Sequence, residues 1–185
     1  MKRRPFLMPV LLLAPLAAGA WRAPAAAQRG GGARGAEVVR GRLEEVRGPR
    51  LVALLVSRAL LLDVRDPAAT AFEDYRRALA GTPPLPHPRA ARRIADKVNK
   101  YIRKYRMMSA ARSYEEADLV IVFKVTGQHA SAVPGDPFIW GKMYVLAVGA
   151  DRAPRLVWES KGDTASPEDA TGDFIKALKA ARGER

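Results

Sequence analysis

Residues Leu119 to Val125, reading Leu-Val-Ile-Val-Phe-Lys-Val, form a short, nearly unbroken apolar run rich in β-branched side chains. A strand with one wet face alternates apolar and polar residues. A run this continuous is expected of a strand covered on much of both faces, and hence central in its sheet. With 185 residues, 48% of them hydrophobic, the chain can build one core around such a strand. It has no cysteine, so zinc-finger and disulfide scaffolds are excluded, as are collagen and coiled-coil architectures by composition.

The elements around that strand follow from spacing and punctuation. Leu51 to Val64 contains two short apolar runs consistent with a buried strand, broken near Ser57-Arg58. Asp66-Pro67 reads as an N-cap followed by proline at the first helical position, with Phe72, Tyr75 and Leu79 on one face and Gly81 as the stop. Thr82 to Pro88 carries four prolines and must be an extended connector. From Arg89 to about Met107, Ile94, Val98, Tyr101, Ile102 and Tyr105 fall on one helical stripe. After the central strand, Gly127 to Pro137 reads as a loop, Phe138 to Val148 and Arg155 to Lys161 as a hairpin, and Gly149 to Pro154 as its turn. Ser166-Pro167-Glu168-Asp169 signals a helix start and Gly183 its end, with Phe174, Ile175, Leu178 and Ala181 as its buried stripe. The expected fold is α/β of the α+β type, an antiparallel sheet of about four strands with two or three helices in the order β-α-α-β-β-β-α.

The chain opens on Lys2, Arg3 and Arg4, then an apolar run from Phe6 to Ala20 and small residues, the pattern of a cleavable export signal. Ala18-Gly19-Ala20 and Ala25-Ala26-Ala27 both fit a cleavage site, and the reading places the signal at residues 1–27. Arg3-Arg4 is also compatible with twin-arginine export. Residues 28–50, with Gly30-Gly31-Gly32 and four Arg-Gly pairs, read as a flexible tether, and 51–185 as a single globular domain. Without a cysteine the chain has no site for lipoprotein-type lipidation. The expected location is the periplasm or the cell exterior, peripheral to a membrane at most.

Charge supplies the main functional clue. Lys and Arg number 32 against 19 acids, a formal charge of +13, and removing residues 1–27 takes four basic residues and no acid. The strongest concentration lies on the helix after the proline connector, where Arg92, Arg93, Lys97, Lys100, Arg103, Lys104 and Arg106 face only Asp96. That face is the candidate partner-binding surface, for an anionic envelope component or an envelope protein. An export signal argues against nucleic acid as the partner. Solvation of a packed helix is the alternative role for these charges.

Catalytic signals are sparse. The two histidines are His87, in the proline connector, and His129. His129 and Asp136 share one loop beside Trp140 and form the candidate ligand loop, but two ligands seven residues apart do not make a metal site. Gly141-Lys142 lacks the remaining residues of a phosphate-binding loop. Asp63, Asp66, Glu115, Glu116 and Asp118 are accounted for by caps and strand ends. Trp140 and Trp158, on opposite arms of the hairpin, suit either cross-strand aromatic packing or a ligand platform, and core packing is the expected role. No catalytic residue, metal site or cofactor is assigned.

Ala117-Asp118-Leu119-Val120-Ile121-Val122, the strand from Gly141 to Val148, Arg155 to Ser160, and Asp66-Pro67 with Phe72 and Tyr75 together resemble an uncharacterised family of bacterial envelope proteins, many of them lipoproteins. The resemblance spans about residues 51–182. It implies a small α/β domain with an antiparallel sheet, in the periplasm or at the outer membrane, and it implies no reaction. At the level of fold, the chain is also similar to the N-terminal domains of Tol-type and curli-secretion proteins. The combined expectation is an exported, non-enzymatic binding or scaffolding domain. The alternative is a periplasmic small-ligand or metal-dependent enzyme using the 127–137 loop.

Overall fold

The computed structural model describes residues 38–48, 50–58, 67–82, 88–129 and 138–184, all within the compact unit 34–185. The export signal at 1–27, His87 and Asp136 lie outside the described residues. The central-strand expectation is met: Leu119–His129 is the middle of five strands, and every residue from Leu119 to Val125 is buried. Strands β1 (Arg50–Arg58), β2 (Met108–Ala110), β3 (Leu119–His129), β4 (Phe138–Val148) and β5 (Pro154–Glu159) lie in the order β2-β1-β3-β4-β5.

The fold is α+β, but its sheet is mixed. The four-stranded antiparallel expectation is corrected, because β1 pairs in parallel with both β2 and β3, whereas β3-β4 and β4-β5 are antiparallel. Helices α1 (Pro67–Leu79) and α2 (Pro88–Lys104) separate β1 from β2, which allows the crossover that parallel neighbours require. Strand β2 has only three residues, too few for a pattern to show in the sequence.

Alternation along the strands feeds two cores. On one face Phe72, Tyr75 and Ala78 of α1 pack on Leu55, Val120, Val122, Tyr144 and Leu146. On the other, Ile94, Val98 and Ile102 of α2 and Phe174 and Leu178 of α3 (Pro167–Arg182) pack on Val56, Ile121, Phe123, Met143 and Val145. Helices α2 and α3 run side by side in the same direction: Lys97 meets Glu168, the Tyr101 ring lies against Gly172, and Tyr105 meets Arg182.

Within the expected tether of 28–50, the described part is folded. Arg40 bridges to Leu156 beside β5, Leu43–Glu45 makes a short 3-10 turn, and Val46 is buried in the second core. The Arg182 guanidinium donates to the Val46 and Gly48 carbonyls at 2.8 and 2.9 Å, clipping this segment to the end of α3. Glycine-rich composition upstream masks a segment whose single buried anchor, Val46, has no periodic partners nearby.

Candidate functional site

The seven basic residues of the candidate surface divide by environment. Ile94, Val98 and Ile102 turn inward on α2, as does Tyr105 directly after it, so helical periodicity sends Arg92, Arg93, Lys100, Arg103 and Lys104 outward, with Arg106 exposed just past the helix. Lys97 is different: its ammonium sits 2.9 Å from Glu168 and is half-buried against α3. Burial would raise the Glu168 carboxyl, but the Lys97 hydrogen bond and the Lys97 and Arg93 charges overcome it and hold the group below the ordinary glutamate value. Arg93 therefore acts partly on α3. Among the described residues, Arg92, Lys100, Arg103, Lys104 and Arg106 make no ion pair, although Lys104 lies over the Tyr101 ring. Because α2 and α3 run together, Lys176, Lys179 and Arg182 join Arg103 and Lys104 near the carboxyl ends of the two helices. There they also complement the two helix dipoles.

The structure brings His129 and Trp140 together. Their rings are 4.6 Å apart on the β3-β4 hairpin, and Phe138, 54% exposed, lies 6.4 Å from Trp140. A bulge at Val125/Gly127 sets Gly127 opposite Trp140, and the indole covers the space a side chain at Gly127 would need. The expected loop from Gly127 to Pro137 is thus corrected at its start, since residues 127–129 continue β3. Of the expected packing, Trp158 joins the core, but the two indoles do not meet across the hairpin. Trp158 packs on Phe174 at 5.6 Å on the α3 face, whereas Trp140 shares the alternation of Lys142 and Tyr144, which face α1. Among the described residues no group of three His, Asp or Glu could hold a metal.

Two polar clusters escaped the sequence. Lys124, buried in β3, donates to Asp74, 3.1 Å away on α1, and to the Thr70 hydroxyl one turn earlier. The visible sign was one lysine inside an apolar run. Across β4 and β5, Lys142 pairs with Glu159 at 2.9 Å, and Arg40 reaches the same carboxylate at 3.3 Å. Burial would raise the Glu159 carboxyl, but these two cations outweigh it and hold the group below the ordinary glutamate value.

No protein-family model matches the chain, and no curated protein matches it. Among solved structures it is similar to the hypothetical protein CT253 from Chlamydia trachomatis, at 7% identity over 74% of this chain and 99% of that one, with a TM-score of 0.39. A PelC dodecamer from Paraburkholderia phytofirmans is similar at 12% identity over 77% and 92%, with a TM-score of 0.37. Lipoprotein GNA1162 from Neisseria meningitidis is similar at 14% identity over 73% and 99%, with a TM-score of 0.20. At these values the roles of those proteins are not carried over. Among the described residues no helix is long and apolar enough to cross a membrane.

Proposed function

We propose that this chain is an exported, non-enzymatic binding domain that docks reversibly on an anionic surface of the cell envelope through α2. The observation that carries this reading is the outward row of Arg92, Lys100, Arg103, Lys104 and Arg106, exposed and without ion pairs among the described residues. A cation near an anionic leaflet contributes about 1 kcal/mol, so five supply about 5 kcal/mol before the cost of immobilisation. Such binding fades with salt, as the screening length shrinks to about 8 Å at physiological ionic strength. Export is supported by the basic start and apolar run of residues 1–27.

Co-sedimentation of the purified chain with anionic and neutral vesicles across a salt series tests the reading. The expected result is binding to anionic vesicles alone, weakening with salt and lost in Arg103→Glu/Lys104→Glu. Equal binding by that variant would move the contact off α2. A second reading, a periplasmic small-ligand or metal-dependent enzyme at the hairpin, draws on the His129-Trp140 contact. It requires stoichiometric metal or ligand in the purified protein that His129→Ala removes.

A further inference from the structure

At the end of the sheet where β1 and β3 begin lies a cavity of about 410 Å³ whose lining includes three arginines from three different elements. Arg50 opens β1, Arg152 sits in the β4-β5 turn, and Arg155 lies on β5. Two carboxylates share the lining, and both are engaged. Asp118 accepts the Leu51 amide at 2.9 Å, and Glu45 lies 3.6 Å from Arg155. Arg50 makes no ion pair among the described residues, so the lining keeps an excess of positive charge.

Arg152 is held in place by its turn. Its backbone adopts φ +59°, the left-handed region that a residue with a Cβ disfavours, and it is the single non-glycine residue with positive φ among those described. The Arg152 amide donates to the Gly149 carbonyl at 3.0 Å, and the Asp151 carboxylate accepts the next amide at 3.0 Å. One guanidinium N–H donates to the Ala117 carbonyl at 3.2 Å. A guanidinium carries five N–H groups in a planar fork, so the others remain for a ligand. Beneath the cavity, Asp118 and Val148 are locked by backbone bonds between β1, β3 and β4, which makes the floor rigid.

We propose that this cavity binds a phosphate monoester group. A carboxylate offers its oxygens in one plane and is satisfied by one arginine fork. A tetrahedral dianion offers three terminal oxygens in different directions, which suits a cavity lined by arginines from three elements. The volume falls in the range of small-ligand sites and leaves room for the organic part of the ester. The phosphate could belong to a soluble ester or to a lipid headgroup, and the chemistry of capture is the same. This site is separate from the exposed row on α2, so the two readings fail independently.

Isothermal titration of the purified chain with glycerol 1-phosphate, and vesicle binding by Arg103→Glu/Lys104→Glu, which lacks the α2 contact, to phosphatidylcholine with added phosphatidic acid or, as an anionic phosphodiester control, phosphatidylglycerol, provide the test. The variants are Arg50→Gln and Arg152→Asn, the second chosen because asparagine tolerates the left-handed region. Circular dichroism of each variant reports its folding, and either one suffices. The expected result is one saturable site for the phosphate monoester, weakened about tenfold or more by either substitution and unchanged in Arg103→Glu/Lys104→Glu. Binding to phosphatidic acid vesicles alone, with the same dependence on Arg50 and Arg152, assigns the phosphate to a lipid headgroup. Absence of saturable binding to both probes overturns the proposal, as does binding that folded variants leave unchanged. Equal affinity for succinate overturns the choice of a tetrahedral anion.

Discussion

Lys124 occupies a position where a charge is expensive, with its side chain 2% exposed and Asp74 10% exposed. Two ions removed from water are tolerated only when paired and hydrogen-bonded, and Asp74 and Thr70 meet that need. Asp74→Ala leaves the ammonium without its counter-charge and is expected to cost about 3–5 kcal/mol. Lys124→Met/Asp74→Leu removes both charges and is expected to recover most of that loss, as read by urea unfolding. A single Asp74 variant as stable as the parent would show that the pair does not pin α1 to the sheet. Close approach constrains the neighbouring strand as well: a side chain at Gly141 would collide with the Lys124 carbonyl, so Gly141→Ala is expected to destabilise by more than a glycine-to-alanine change in open strand. The sequence displays Lys124 as an interruption of an apolar run. It cannot display Asp74 as the partner, because nothing local to α1 distinguishes an acid that faces the sheet from one that faces water.

The most legible element is α3, because its ends are written in side chains with one local role each. Ser166 accepts the Asp169 amide at 3.2 Å, Pro167 occupies the first turn, and Gly183 closes the helix at φ +69°. Ser166→Ala is expected to lower stability by about 1 kcal/mol in thermal unfolding. The β4 boundaries were legible for the same reason, since a turn with glycine and proline separates two apolar runs, whereas β5 starts at Pro154 and ends at Glu159 rather than running from Arg155 to Lys161. Pairing direction was not, because an apolar run such as Leu51–Val56 presents the same residues to a parallel or an antiparallel neighbour. On the surface, the outward charges of α2 were legible from its period, but the withdrawal of Lys97 toward Glu168 depends on where α3 lands. That contact has a pH signature. The Glu168 carboxyl is held below the ordinary glutamate value in the folded chain, so its contribution is complete above that value and is lost as pH falls through the lower folded one. Stability measured from neutral pH into the acid range is expected to fall in that window, and Lys97→Met should flatten this part of the profile. An unchanged acid limb in Lys97→Met would assign the drop to Glu159 and other carboxylates.

At the scale of the whole molecule, charge and fold meet at one end of the sheet. Arg182 at the end of α3 holds the segment before β1, and the cavity with Arg50, Arg152 and Arg155 opens beside that segment's Glu45 and Val46. The aromatic group of Phe138, Trp140 and His129 sits toward the opposite end, at the tip of the β3-β4 hairpin. The position of the domain boundary therefore matters for stability and for the proposed phosphate site. A chain beginning at Leu51 would lose the Arg40 bridge beside β5, the buried Val46 and the two carbonyls that Arg182 binds. Burial of one valine contributes about 1.5–3 kcal/mol, and each hydrogen bond to a charged group about 1.5–3 kcal/mol. Part of that is offset by the backbone entropy no longer spent on ordering the segment, about 1–2 kcal/mol per residue. The guanidinium left behind tips the balance, because the Arg182 side chain is 7% exposed and would keep Glu184 and Tyr105 as partners while losing both carbonyls. A chain beginning at residue 38 keeps every described contact and is expected to unfold at the same urea concentration as the full chain, whereas one beginning at residue 51 is expected to unfold earlier. If the two shortened chains unfold together, the segment from 38 to 48 decorates the domain and the boundary belongs at residue 51.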